Sequence, residues 1–279
     1  MKKIDRLGWA AGLSFISYGV RVGVRVNNPE ALALVKAYFP PGWKISASPV
    51  VERLYSLILG GTGQRSNVRR FNLLYGNIAR LARTTNQDEL LEIFESDLGL
   101  YVAEMARRRV FVHAGVVGWK GQAILLPGRS YSGKTTLIAE LVRAGATYYS
   151  DDFAVLDARG RVHPYAKPLQ IRDGETARQK KYPVETFGGQ AGTKPLPVGL
   201  IAVSKYQAGA RWRPRAMSAG RGTLELLANT ISARRQPENA LATLQKVVSQ
   251  APVVKSLRGE ATETTDLILR CLDNPKERA

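Results

Sequence analysis

Eight consecutive residues, Gly128-Arg129-Ser130-Tyr131-Ser132-Gly133-Lys134-Thr135, match the pattern G-x-x-x-x-G-K-[ST] throughout. The chemistry this spacing supports is the cradling of a nucleotide phosphate. Glycines let a run of backbone N–H groups approach the anion, Lys134 reaches the terminal phosphates, and the Thr135 hydroxyl sits on Mg²⁺. Two adjacent carboxylates, Asp151 and Asp152, follow at the end of the next expected strand. From there one carboxylate can hold Mg²⁺, directly or through water, and a second can take a proton from an attacking hydroxyl. Capping a turn or helix is the plainer use of the same pair. His113 lies in the strand before the loop strand, where a histidine is either a satisfied core residue or a catalytic group.

A phosphate loop needs a strand to launch it and a helix to receive it. Residues 123–127 read as a buried strand, and residues 134–144 as a helix whose N-terminus turns its partial positive charge on the phosphates. Upstream, residues 110–117 form a strand, 118–121 a turn and 122–127 the returning strand. Downstream, residues 146–150 make a short strand ending at the two aspartates, and 153–156 another. A hairpin turn at 158–161 then leads into a strand at 162–165. The polar stretch 173–197, rich in Gly, Lys and Pro, reads as a mobile loop suited to a lid or a substrate contact. A strand at 198–204, helices near 223–233 and 237–248, a strand at 252–257 and a helix near 262–272 complete the pattern.

The first third is different. Residues 14–27 alternate apolar with small or basic side chains, the period of one or two half-buried strands. Pro29 opens a short helix carrying Ala31, Leu32, Leu34, Val35 and Tyr38, closed by Pro40-Pro41-Gly42. Strands are expected at 51–59 and 71–81, separated by a turn-rich segment at 60–67. Asn86-Gln87-Asp88-Glu89 then caps a longer helix reaching about Arg108. A smaller α+β domain over residues 1–108 is therefore expected to precede an α/β domain over 109–279.

With 279 residues, 44% of them hydrophobic, the chain has ample core for such a pair. The lone Cys271 excludes an intramolecular disulfide and any Cys-rich metal site, and suits a reducing cytoplasm. Residues 7–20 resemble a secretory signal only superficially: Ser14, Ser17, Tyr18 and Gly19 interrupt them, and Arg21 follows at once. No apolar run approaches the length of a membrane span. The net charge of +18 is spread mostly as single arginines, the pattern of a solvated basic surface, and leaves room for an acidic partner. Arg211-Trp212-Arg213-Pro214-Arg215 is the one place where basic and aromatic residues interleave, a weak nucleic-acid signal.

Taken together, His113-Ala114-Gly115-Val116-Val117, the loop at 128–135 and Asp151-Asp152 resemble the catalytic domain of bacterial HPr kinase/phosphorylase and its serine-kinase-like relatives, which are related in fold to phosphoenolpyruvate carboxykinase. The intervals carry the likeness: histidine fifteen residues before the loop glycine, aspartates seventeen and eighteen after the loop lysine. The resemblance covers residues 110–172 firmly and the rest loosely. It implies a P-loop kinase core with a mixed sheet and helices, and an ATP- and Mg²⁺-dependent kinase acting on a serine-type hydroxyl of a peptide, protein or small molecule. His113, Lys134, Asp151 and Asp152 would be catalytic, with Asp152 taking the acceptor proton and Thr135 and Asp151 on the metal. Residues 128–136 and Arg172 would hold the nucleotide.

Two departures stand out. Thr136 replaces the family's acidic residue after the loop, and Gln170 stands where the family has a metal-binding glutamate, in Gln170-Ile171-Arg172-Asp173. No segment matches the family's C-terminal region for its protein substrate and reverse phosphorolysis. A nucleotide-binding regulatory or assembly module without transfer activity is the alternative. True HPr kinases are hexamers, so an oligomer is compatible with the resemblance. A nucleic-acid-associated ATPase is permitted by charge and supported by no motif.

Overall fold

The computed structural model describes residues 5, 7–60, 71–128, 132–172 and 179–273. Arg129, Ser130 and Tyr131 of the loop, residues 61–67 of the expected turn and residues 173–178 lie outside them. The chain divides into two compact units, Met1–Arg107 and Arg108–Ala279.

In the first unit, the alternating segment folds as a hairpin of β1 (Ala11–Ser17) and β2 (Val20–Val26). Its two-residue turn has Tyr18 and Gly19 at φ 48° and 83°, the left-handed geometry that matches strand twist. Helix α1 (Pro29–Lys36) starts on Asn28, whose side chain accepts from the Glu30 amide. The strands β3 (Lys44–Ser46), β4 (Arg53–Ile58), β5 (Asn72–Gly76) and β6 (Ala79–Thr84) follow. They complete a six-stranded sheet of order β3-β1-β2-β4-β5-β6. The single strand expected at 71–81 is thus a hairpin, because Asn77 adopts φ 54° and reverses the chain.

Helix α2 (Gln87–Met105) is capped by the Asn86 side chain, which accepts from the amides of Asp88 and Glu89. Its Leu90, Leu91, Phe94, Leu98 and Val102 are buried with Phe15, Val22, Val24, Tyr55 and Leu57 of the sheet. Each such side chain contributes about 1.5–3 kcal/mol by leaving water. The helix stops short of the expected Arg108, which sits at φ 63° outside the helical region.

The second unit is built on β7 (Val110–Trp119) and β8 (Gln122–Pro127), an antiparallel pair turned by Lys120 and Gly121. Both turn residues have positive φ, so β7 runs through to Trp119 and the turn is shorter than the four residues expected. Next come α3 (Lys134–Arg143), β9 (Thr147–Ser150), β10 (Phe153–Leu156), β11 (Arg161–His163), β12 (Leu169–Arg172) and β13 (Gln179–Tyr182). A 3-10 turn at Val184–Phe187 leads to β14 (Leu196–Tyr206) and β15 (Arg215–Ala216). The chain closes with α4 (Ala219–Leu227), α5 (Pro237–Gln250), β16 (Val253–Arg258) and α6 (Ala261–Asp273).

The main sheet has the order β11-β10-β7-β8-β14-β16-β15, with β9 also on β7. Strands β8, β14 and β16 are parallel neighbours and the other pairs antiparallel, so the sheet is mixed. Strand β11 also pairs with β14, closing five strands into a ring.

Alternation along the parallel strands sorts the core into two layers. Ile124, Leu126, Leu200, Ala202 and Val254 pack with Leu137, Ile138 and Leu141 of α3 and Ile268 and Leu272 of α6. Ala123, Leu125, Ile201, Val203 and Val253 pack with Leu226 of α4 and Leu244 and Val247 of α5. Helix α4 begins on Ser218, which accepts from Arg221 N, and ends at Leu227, earlier at both ends than expected.

The described part of 173–197 is not an open loop. Strand β13 pairs with β12, and Val184 and Phe187 enter the core, giving the segment apolar surface to bury. Cys271 is free and buried on α6. Trp212 is also a core residue, 8% exposed, so its ring does not stand among the arginines as a base-stacking platform. Among the described residues no helix is long and apolar enough to cross a membrane.

Candidate active site

The site forms where β7 changes partners on both of its edges. Strand β8 flanks residues 114–119 on one edge and β9 pairs with 116–118 on the other; through 110–113 that second edge carries β10. On the first edge β8 has departed into the phosphate loop, and the chain after α4 takes its place. His113 N donates to Asn229 O at 2.7 Å, and Ile231 N to Phe111 O at 2.9 Å. Strand ends that part in this way are the usual place for a ligand in α/β sheets.

His113 is the β7 residue at this junction. Its carbonyl accepts from Gly128 N, the first residue of the phosphate loop, at 3.2 Å. On the other edge Phe153 lies opposite His113, and Ala114 N donates to Asp152 O at 3.2 Å. The loop and the acidic pair are thus both tied to adjacent residues of one strand. This is the physical content of the sequence intervals: strand lengths bring both segments back to one point on β7.

Within the loop, Lys134 Nζ donates to Gly128 O at 2.7 Å, folding the side chain back over the loop. Thr135 Oγ1 donates to Asp151 Oδ2 at 3.3 Å. Asp151 is buried, and its Oδ1 accepts from the Tyr148 hydroxyl at 2.9 Å. The amide of Gln170, on β12, also hydrogen-bonds Asp151. Ser150, 1% exposed, accepts from the amides of Asp152 and Phe153 and fixes the turn that presents the aspartates. The side chain of Ser132 places an Oγ buried beside the loop without a hydrogen-bond partner among the described residues. Thr136, next to the loop, is exposed. Arg172 ends β12.

The electrostatics follow from this packing. Burial, and then the Lys134 charge, pull His113 below the ordinary histidine value against the opposing pull of Asp152. The imidazole is therefore neutral at physiological pH. Burial lowers Lys134 to about 8, with Asp152 and Asp151 opposing. Burial and then the Asp152 charge raise Asp151 to about 7, although Tyr148 and the Gln170 amide stabilise its anion. Strongly shifted groups of opposite charge, placed together, mark a candidate functional site.

The donor set suits Mg²⁺ better than a metal caged by protein. Among the described residues no three His, Cys, Asp or Glu side chains gather as a metal cage. Thr135 and Asp151 offer a hydroxyl and a carboxylate side by side, the small protein share of a site completed by phosphates and water.

Four groups at the site carry no motif: Tyr148, Ser150, the Asn229 carbonyl and Arg258. Arg258 ends β16 and reaches the loop, with Nη2 donating to Ser132 O at 3.1 Å and to Gly133 O at 2.9 Å. The Ser-Asp-Asp run was readable as a side-chain-capped turn; Tyr148 lies on the same strand but reads as an ordinary core aromatic, and Asn229 and Arg258 come from distant segments and leave no local signal. A comparison of the chain with protein-family models and with curated proteins returned no match.

Proposed function

We propose that the second unit is an ATP-dependent phosphotransferase of the HPr kinase-like type, a P-loop kinase core. It moves the γ-phosphate to a serine-type hydroxyl on a peptide, protein or small molecule. The observation that carries this reading is the joint attachment of the loop and the acidic pair to His113 and Ala114 of β7. The lone, buried Cys271 suits a cytoplasmic setting.

Backbone amides of the loop and Lys134 bind the β- and γ-phosphates, and the family resemblance would add Arg172 to them. Thr135 and Asp151 would hold Mg²⁺, which would supply neutralisation of the charge that develops on the phosphates. Asp152 accepts the acceptor's hydroxyl proton as that oxygen attacks the γ-phosphorus. The bond to the β-phosphate oxygen breaks and ADP leaves. Neutral His113 works with Asp152 as a pair that orients the hydroxyl for in-line attack, and it keeps the site from collecting a second positive charge next to Lys134. Tyr148 holds Asp151 in place to receive Thr135.

Gln170 favours a second reading, a nucleotide-binding regulatory module without transfer. Its neutral side chain is a poorer Mg²⁺ ligand than the glutamate the resemblance would put there. One experiment separates the two. With terminally labelled ATP, Mg²⁺ and hydroxyl acceptors (free serine, hydroxyl-bearing peptides, HPr), the kinase labels an acceptor and Lys134→Ala abolishes it. A regulatory module binds ATP tightly and labels none.

A further inference from the structure

We propose that Arg258 is the positioning residue of the phosphate loop: its guanidinium clamps the carbonyls of Ser132 and Gly133 from behind and thereby aims the amides of Gly133 and Lys134 at the phosphates. This deepens the nucleotide reading above and rests on it.

The geometry starts from the peptide unit. In a trans peptide the C=O and the following N–H point in opposite directions. Fixing Ser132 O therefore fixes the direction of the Gly133 N–H, and fixing Gly133 O fixes that of Lys134. Arg258 Nη2 reaches both carbonyls, at 3.1 and 2.9 Å, while Nη1 donates to Gly259 O at 3.2 Å. Gly133 O also accepts the first helical bond of α3, from Leu137 N at 3.2 Å, so the clamp sets the loop and the helix entry together.

The side chain is well placed for this. Arg258 is 3% exposed, and a buried guanidinium persists where its donors are satisfied. Its backbone is secured in the sheet: Arg258 pairs with Tyr206 of β14, and its carbonyl accepts from Gln207 N at 2.9 Å. Its guanidinium lies 5.4 Å from the centre of the Tyr206 ring.

Gly133 reports the same constraint. Its φ is +78°, and a Cβ built there would collide with Arg258 Nη2. Glycine there meets the turn's positive φ, and any side chain in its place would push the guanidinium out of the clamp.

The test compares wild type with Arg258→Met and Arg258→Lys, using pyrophosphate and ADP as probes with Mg²⁺. Amide resonances of Gly133 and Lys134 and the dissociation constants are read together with Tm. The clamp predicts a tenfold or greater loss of affinity for both probes in both variants. It also predicts loss of the two amide shifts, with distant amides unchanged. Lysine keeps the charge but lacks the planar fork, so wild-type binding by Arg258→Lys would show that charge alone suffices and would overturn the clamp. Unchanged binding by Arg258→Met would overturn it as well. Should Arg258→Met fail to fold, Arg258→Lys decides by the same comparison. If the wild type binds neither probe, the nucleotide reading itself fails and the inference with it, a result distinct from equal binding by all three proteins.

Discussion

Asp151 is a carboxylate placed where the folded chain would prefer it neutral. Unfolded, it titrates near 3.8; folded, at about 7. The folded state holds the proton more tightly, so the group's stabilising contribution is complete below the unfolded value. It is lost as pH rises through about 7. Asp151→Asn should therefore raise stability above pH 7, by on the order of 1–3 kcal/mol, and change little near pH 3. Denaturant titrations of both proteins at the two pH values check this. On the proposed reading the same variant should also lose Mg²⁺-dependent transfer, since Asp151 would hold the metal as its anion. Lys134, lowered to about 8, gives a complementary prediction. Phosphate binding requires the ammonium, so ATP affinity should weaken as pH rises through about 8, measured by titration calorimetry between pH 6.5 and 9.5.

At the scale of elements, β7 is the strand on which the site depends. It is packed tightly against α3: a Cβ on Gly115 would lie 2.8 Å from Ile138 Cγ1. Gly115→Ala should cost about 1–3 kcal/mol by overpacking, and Ile138→Val should recover part of it in the double variant. Thermal unfolding of the two singles and the double tests the coupling.

Strands β7 and β8 and helix α3 were readable because each is a long apolar run or an amphipathic helix next to a glycine-rich loop of recognisable spacing. His113, Lys134 and Asp151-Asp152 were legible as one group only through the family resemblance that their intervals carry. Arg258 was not readable, since it lies 126 residues beyond Ser132 and its role depends on strand order. Strand order was hidden too: nothing local tells β9 and β10 to share one edge of β7. The segment after residue 178 misled by composition, its Lys and Gly masking the Val184 and Phe187 that anchor it. Trp212 misled in the opposite direction, its basic neighbours suggesting a surface ring that the core takes instead.

At the scale of the molecule, the two units have separate cores. Phe15, Tyr55, Phe94 and Leu98 anchor the first, while Ile124, Leu200, Leu244 and Ile268 belong to the layers of the second. Every described residue placed in the site comes from the second unit. Residues 108–279 expressed alone should therefore unfold cooperatively and bind ATP within about threefold of the full chain, checked by calorimetry and nucleotide titration. A role for the first unit in acceptor recognition predicts that the fragment loses preference among hydroxyl acceptors while it keeps its affinity for ATP.

The central claim is that Asp152 serves phosphoryl transfer rather than nucleotide binding. Its most direct test is transfer of labelled γ-phosphate from ATP to hydroxyl acceptors by wild type and Asp152→Asn, with ATP affinity measured in parallel. The account predicts a loss of roughly 10²–10⁴-fold in transfer with ATP affinity little changed. ATP bound by both proteins and consumed by neither, with no acceptor labelled, would contradict it.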